Sequence, residues 1–193
     1  MHEKFTLRRA INERLARLNE KDRAAESRSI VRRIREHLPE DLSVLCAFMP
    51  MANEPDIRPL LEALLQKHIT LSLPRTEGKA FTFRTITDLT QLERGPFGIL
   101  EPRVETDALD LKTVQLVLVP GVAFDPSGNR LGRGNGGYDK FLARLRAENP
   151  AALAWGIAFD CQMVNAIPVQ QHDAKVDAVV TPRGKQDVLS MQY

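Results

Sequence analysis

The sequence predicts an α/β fold with a mainly parallel sheet, and three observations carry that expectation. The apolar stretch at 43–48, the helix-spaced Ile57, Leu60, Leu61, Leu64 and Leu65, and the stretch at 69–73 make a strand–helix–strand unit. Val114-Gln115-Leu116-Val117-Leu118-Val119 is apolar at nearly every position, as a strand covered on both faces must be. A helical segment at 138–148, marked by Phe141, Leu142 and Leu145, separates it from another apolar strand at 153–158. Strands that alternate with helices pair in parallel, because a parallel partner is reached only by a crossover long enough to hold a helix. The 193 residues suit one domain over 1–193, large enough to bury a core.

In chain order, a first helix is expected over 4–18, where Leu7, Ile11, Leu15 and Leu18 fall on one stripe. Lys4 and Arg8, four residues apart, share a different face, which solvation alone would explain. A second helix at 23–38 turns Ile30, Ile34 and Leu38 inward and Arg28, Arg32 and Arg35 outward, and Pro39 ends it. Asp56 stands where it could cap the third helix. The loop at 49–56 follows the carboxyl end of a strand, where ligands of open α/β sheets gather, and it carries Met49 and Glu54. Core filling would explain the methionine, and a solvent-facing loop the acid. Ala80-Phe81-Thr82-Phe83-Arg84 alternates as an edge strand does. From 86 to 112 the pattern is poorly periodic, as in a lid or binding loop, and chemistry alone assigns Glu101 no role. Trp155 reads as core, and a final short strand is expected at 177–181.

Between the strand at 114–119 and the helix at 138–148 lies Leu131-Gly132-Arg133-Gly134-Asn135-Gly136-Gly137-Tyr138-Asp139. Four glycines within six positions can adopt positive φ and present successive backbone N–H groups to an anion. Arg130 and Arg133 flank the turn, and the following helix directs its positive end toward it. Sharp turning alone also gathers glycines. No Gly-Lys-Ser or Gly-Lys-Thr follows, which excludes a Walker loop. Gly132, Gly134 and Gly137 satisfy the dinucleotide spacing, but the preceding strand ends about a dozen residues upstream, whereas a dinucleotide turn leaves its strand directly. Asp139 suits the start of a helix. Beside a bound phosphate it would instead repel, unless Mg²⁺ lay between them, held through one or two carboxylates and nucleotide oxygens.

This stretch and its approach resemble the signature of the 5-formyltetrahydrofolate cyclo-ligase family, also called methenyltetrahydrofolate synthetase. The residues that carry the resemblance are Val119, Pro120, Gly121, Phe124, Asp125, Gly128, Arg130, Leu131, Gly132, Gly134, Gly136, Tyr138 and Asp139. The family has paired aromatics where this chain has Gly137 and Tyr138, so a ring is missing at 137. The segment at 98–102 and the acid ahead of the last strand also look like the family's. The resemblance implies a three-layer α/β/α sandwich, on a scaffold related to that of sugar-phosphate isomerases and acyl-CoA transferases. It implies ATP- and Mg²⁺-dependent cyclisation of 5-formyltetrahydrofolate to 5,10-methenyltetrahydrofolate, with release of ADP and phosphate. ATP would be held by Lys4, Arg8, Arg130, Leu131, Gly132, Arg133, Gly134, Asn135, Gly136, Gly137 and Tyr138, with Arg130 and Arg133 in catalytic roles. Met49, Glu54 and residues 133–137 would contact the folate, and Asp139 and Asp173 would hold the metal. Replacing Arg130 or Asp139 by alanine should then cost turnover far more than stability.

Composition narrows the alternatives. At 43% hydrophobic and 27% charged residues the chain has the make-up of an ordinary globular protein, and its net charge is +2. Residues 1–36 hold 11 Lys or Arg against 6 Asp or Glu, but without uninterrupted basic runs or interleaved aromatics, so a nucleic-acid or membrane partner is not expected. Cys46 and Cys161 lie far apart in apolar surroundings and read as buried thiols of a reducing compartment, not as a disulfide or a zinc site. A secretory h-region and an 18-residue apolar run are both missing, and the expectation is a cytoplasmic monomer acting on two small molecules, a reduced folate and ATP. Two rivals remain. A sugar-phosphate isomerase or acyl-CoA transferase-like enzyme would use the glycine loop without making ADP, and a polyanion binder would show salt-sensitive RNA or DNA binding.

Overall fold

The computed structural model describes residues 2–78 and 80–188; the chain end at 189–193, part of the span expected as one domain, lies outside the described residues. Two helices open the chain, α1 (His2–Arg17) and α2 (Glu20–His37). The second begins before the expected residue 23 because Asn19 caps it, its side chain accepting from the Asp22 N–H at 2.9 Å. There follow β1 (Val44–Cys46), α3 (Arg58–Gln66), β2 (Thr70–Glu77), β3 (Ala80–Ile86), β4 (Leu92–Arg94), β5 (Leu100–Pro102), β6 (Leu116–Pro120), β7 (Ala123–Phe124), β8 (Arg130–Leu131), α4 (Gly137–Glu148), β9 (Leu153–Ile157), β10 (Ala178–Thr181) and β11 (Gly184–Asp187).

The main sheet runs β11-β10-β9-β6-β1-β2-β3. Its inner pairings are all parallel, and only the edge strands β3 and β11 run antiparallel to their neighbours. Alternation along β6 sorts the core into two layers. Leu116 and Leu118 pack with Ile11 and Leu15 of α1, Ile30 and Ile34 of α2 and Leu60, Leu61 and Leu64 of α3. Val117 and Val119 face the other way, onto Phe141, Leu142 and Leu145 of α4. A strand covered on both sides needs apolar residues at consecutive positions, which is why β6 reads as an unbroken run. The result is the expected three-layer α/β/α sandwich, with three helices on one face and one on the other. Trp155 is buried in the first of these layers.

Several elements differ from their sequence reading. β1 is three residues long, and the chain leaves the ladder after the Ala47 N–H donates to the Ser72 carbonyl. β2 runs on through Pro74, because its pairing with β1 stops at Ser72 and a missing N–H costs no bond on that side beyond it. Ile57 takes the cap position of α3, and Asp56 serves it from one residue earlier by accepting from the Arg58 N–H at 3.1 Å. The aperiodic stretch after β3 holds a small ribbon, β4 against β5, rather than an unstructured lid. Glu101 fastens that ribbon to the main sheet: its buried carboxylate accepts from the Thr76 N–H at 3.0 Å and the Thr76 hydroxyl at 2.6 Å. No helix among the described residues is long and apolar enough to cross a membrane.

Replacing Glu101 by alanine leaves the part-buried Thr76 N–H without its acceptor. The expected cost is about 2 kcal/mol, a fall of roughly 4–8 °C in melting temperature on a thermal melt. Glu101→Gln, which keeps one acceptor oxygen, should lose less.

Candidate active site

Because β1, β6 and β9 are parallel, the loops that leave their carboxyl ends lie at one end of the sheet. The loop after β6 is built on the two-residue ribbon β7–β8. At its base the buried Asp125 carboxylate accepts from the N–H groups of Ser127 and Asn129, each at 3.0 Å, from the Asn129 amide at 2.9 Å and from the Ile167 N–H at 2.9 Å. One acid thus fixes the turn and ties it to the segment after β9. Beyond β8 the chain passes through Gly134 (φ 112°) and Gly136 (φ 66°), conformations that a side chain would resist, and enters α4 directly. Asn135 steadies this entry by accepting from the Gly137 N–H at 3.2 Å.

Arg130 lies beneath the loop. Its side chain is only 4% exposed, donates to Asp139 Oδ1 at 3.0 Å and to the Pro120 carbonyl at 3.4 Å, and stands 5.5 Å from the Tyr138 ring centre. A Cβ at Gly132 would come within 2.9 Å of its Nη1, so a side chain there would push against the paired guanidinium. Asp139, 15% exposed, also accepts from the Ala174 N–H at 3.2 Å. Of the two arginines expected in catalytic roles, Arg130 is sealed under the loop while Arg133 is exposed above it. Leu131 turns its side chain wholly into the core and offers the site only its backbone.

Helix α1 reaches the loop from the side. Arg8 Nε donates to the Gly132 carbonyl at 2.8 Å, and Lys4 pairs with Asp173 in the loop after β9 at 2.5 Å. Asp173 Oδ2 accepts from the Gln170 N–H as well, at 2.7 Å. Burial works to raise the Asp173 carboxyl, but the hydrogen bonds from Lys4 and Gln170 and the Lys4 charge outweigh it and hold the group below its ordinary value.

On the opposite side, Arg133 Nη2 bonds Glu54 Oε1 at 2.9 Å and Asn53 Oδ1 at 3.0 Å, which joins the glycine loop to the loop after β1. The Glu54 side chain is 7% exposed and its second oxygen accepts from the Met51 N–H at 3.0 Å, so it is not a solvent-facing loop acid. Met49 is buried beside it in sequence, within the core layer of α1 to α3. The Tyr138 hydroxyl is buried with no hydrogen-bond partner among the described residues. Burial pushes its pKa well above the usual phenol range, the Glu54 charge adds to the rise, and Arg130 opposes it.

Every residue singled out in the sequence therefore stands on α1, on the first turn of α4 or on one of three loops at the same end of the sheet, with Arg8, Gly132, Arg133 and Glu54 forming a continuous chain of contacts. Phe81, Asp125 and Glu101 have structural parts that the sequence did not assign. For Phe81 the signal was present, since alternation along β3 puts it on the same face as Phe83.

The protein-family model that matches this chain is that of the 5-formyltetrahydrofolate cyclo-ligase family, over residues 1–182. Among curated proteins, the chain is 30% identical to 5-formyltetrahydrofolate cyclo-ligase of Saccharomyces cerevisiae, over 95% of this chain and 97% of the relative. It is 33% identical to that of Escherichia coli K12, over 72% and 77%, and 26% identical to that of Mus musculus, over 90% and 91%. Among solved structures it is similar to 5,10-methenyltetrahydrofolate synthetase of Aquifex aeolicus, with a TM-score of 0.85 and 31% identity over 98% of this chain and 95% of the other. The synthetase of Mycoplasma pneumoniae shares the fold at a TM-score of 0.75 and 20% identity, over 93% and 99%.

Two predictions follow from the buried pairs. Asp139→Asn strands the Arg130 guanidinium without its counter-charge, so it should lower stability by about 3 kcal/mol, or roughly 6–12 °C on a thermal melt, as well as turnover. Turnover is still expected to suffer more than stability, and the pair makes the stability cost measurable as well. A carboxyl held below its unfolded value stabilises the fold at higher pH and loses that contribution as pH falls through the folded value. Lys4→Met should therefore reduce the stability difference between about pH 6 and about pH 3, measured by denaturant titration at each pH.

Proposed function

Since the chain belongs to the 5-formyltetrahydrofolate cyclo-ligase family and is an ATP-dependent ligase of that kind, we propose that it closes 5-formyltetrahydrofolate to 5,10-methenyltetrahydrofolate with ATP and Mg²⁺, releasing ADP and phosphate. The observation that supports this reading most directly is the convergence at one loop. Arg8 touches Gly132, Lys4 pairs with Asp173 of the neighbouring loop, positive-φ glycines open the backbone, and Arg133 binds the acid of a third loop. Such a site has cations and N–H groups for a polyphosphate on one side and a carboxylate for a second substrate on the other.

On this reading Lys4, Arg8 and Arg133 hold phosphate oxygens with the backbone N–H groups of 132–136, and Met49 and Glu54 border the folate. Arg130 acts as a positioning residue, through Asp139 and under Gly132. The formyl oxygen attacks the γ-phosphorus and ADP departs. The nitrogen at position ten then attacks the formyl carbon, loses its proton, and the carbon–oxygen bond breaks with release of phosphate. Poor leaving ability of the formyl oxygen is the chemical obstacle, and phosphorylation removes it. Holding the groups in line and neutralising charge are the protein's part.

Mg²⁺ fits the acids present. Hydrogen bonds among the described residues engage Oδ1 of Asp139 and Oδ2 of Asp173, which leaves one oxygen of each carboxylate for a cation that takes most of its ligands from phosphate and water. No cluster of three or more His, Cys, Asp or Glu that could hold a metal occurs among the described residues, so the nucleotide would have to complete the shell. When bound, the ion would screen the phosphate charge during transfer.

The test is the absorbance of the methenyl product formed from 5-formyltetrahydrofolate by purified protein. Product should appear only with ATP and Mg²⁺ present, with ADP formed in equal amount; no product under those conditions rejects the proposal. Arg8→Ala should raise the KM for ATP by about tenfold or more, the value of a lost charged hydrogen bond, with a smaller effect on the KM for folate.

A further inference from the structure

Residue 137 is where this chain departs from the family pattern, and the structure shows what occupies the place. A Cβ built on Gly137 would lie 2.5 Å from Cε1 and 2.9 Å from Cδ1 of Phe81, so the edge of that ring already fills the space into which a side chain at 137 would grow. Phe81 comes from β3, at the register position facing Thr76 near the end of β2, and so from the same end of the sheet as the loops of the site. Its ring centre lies 5.0 Å from that of Tyr138, 5.7 Å from Phe83 and 6.1 Å from Phe141. Phe83 and Phe141 are 4% and 9% exposed, whereas Phe81 is half-buried and forms the outer member of the cluster.

Sheet order says which substrate this ring meets. Relative to β6 and its glycine loop, Asp173 and its partner Lys4 lie on the β9 side, whereas Glu54, after β1, and Phe81, on β3, lie on the other. We propose that Phe81 supplies from the edge strand the aromatic wall that the loop lacks at 137, that this wall takes the flat conjugated rings of the reduced folate, and that residues 81 and 137 form one coupled specificity element. The proposal deepens the functional reading above and rests on it. Because the ring is fixed by three other aromatics, it meets its ligand already oriented, and glycine at 137 is the condition for its being there.

The experiment measures KM for each substrate and melting temperature for Phe81→Leu, Phe81→Ala, Gly137→Ala and the double variant Phe81→Ala with Gly137→Tyr. Phe81→Leu keeps apolar bulk but removes the ring, so it should raise the KM for folate about tenfold and leave the KM for ATP within about twofold. Gly137→Ala should lower the melting temperature by roughly 2–6 °C, because its Cβ displaces the ring, and this loss should vanish when Phe81 is alanine. The double variant should regain a folate KM close to that of the unaltered protein. A folate KM unaffected by Phe81→Leu, an equal rise in both KM values, or additive melting shifts would each overturn the proposal. If the unaltered protein turned over no folate, the functional reading and the ligand half of the proposal would fall together. Melting shifts that fail to add would in that case still establish the coupling of the two residues.

Discussion

A buried guanidinium with a single carboxylate partner is the constraint around which this site is arranged. Arg130 cannot be left without a counter-charge in the interior, and Asp139 supplies it from the first turn of α4. The pairing sets where α4 begins relative to β8, and the glycine loop is the chain that must cover the short distance between them. Closing a loop over an arginine head group favours a residue without a side chain directly above it, which is the position of Gly132. The same carboxylate receives the Ala174 N–H, so the loop after β9 is placed by the pair that places the helix.

The site is consequently assembled from pieces that meet at this loop, and the direct Lys4–Asp173 pair joins two of them beside it. Arg8 reaches a carbonyl of the loop, Arg133 carries the connection across to Glu54, and Asp125 ties the base of the turn to the Ile167 N–H. Lys4 lies toward the β9 side, while Arg133 and the Glu54 carboxylate lie toward the β1 side. On the proposed function, the polyphosphate and the folate would approach the loop from these two sides without either having to cross the other.

Much of this was legible in the sequence, and the parts that were not have identifiable physical reasons. β6 and β9 could be read because strands buried on both faces have little choice but to be apolar throughout, and the glycine stretch because its spacing is distinctive. β11 escaped notice because Gly184-Lys185-Gln186-Asp187 is an edge strand of polar residues, whose pairing is through the backbone. The burial of Arg130 is invisible in composition, since arginine is ordinarily exposed, and only its partner in space makes it tolerable. The meetings of Glu101 with Thr76 and of Phe81 with Gly137 were missed for a shared reason: alternation showed which face Phe81 takes, but no local pattern encodes a contact with a residue far along the chain. The position of Arg8 on the loop has the same character, because a solvated helix face would have shown the same residues.

The Lys4–Asp173 contact joins residues 169 positions apart in the chain. Synthesis runs from the amino end, so the helix that carries Lys4 leaves the ribosome well before the loop that carries its acid. The lysine has nothing to grip until that loop has emerged. Completion of the site thereby waits on the loop after β9, and a chain interrupted ahead of it would carry an unfinished binding surface.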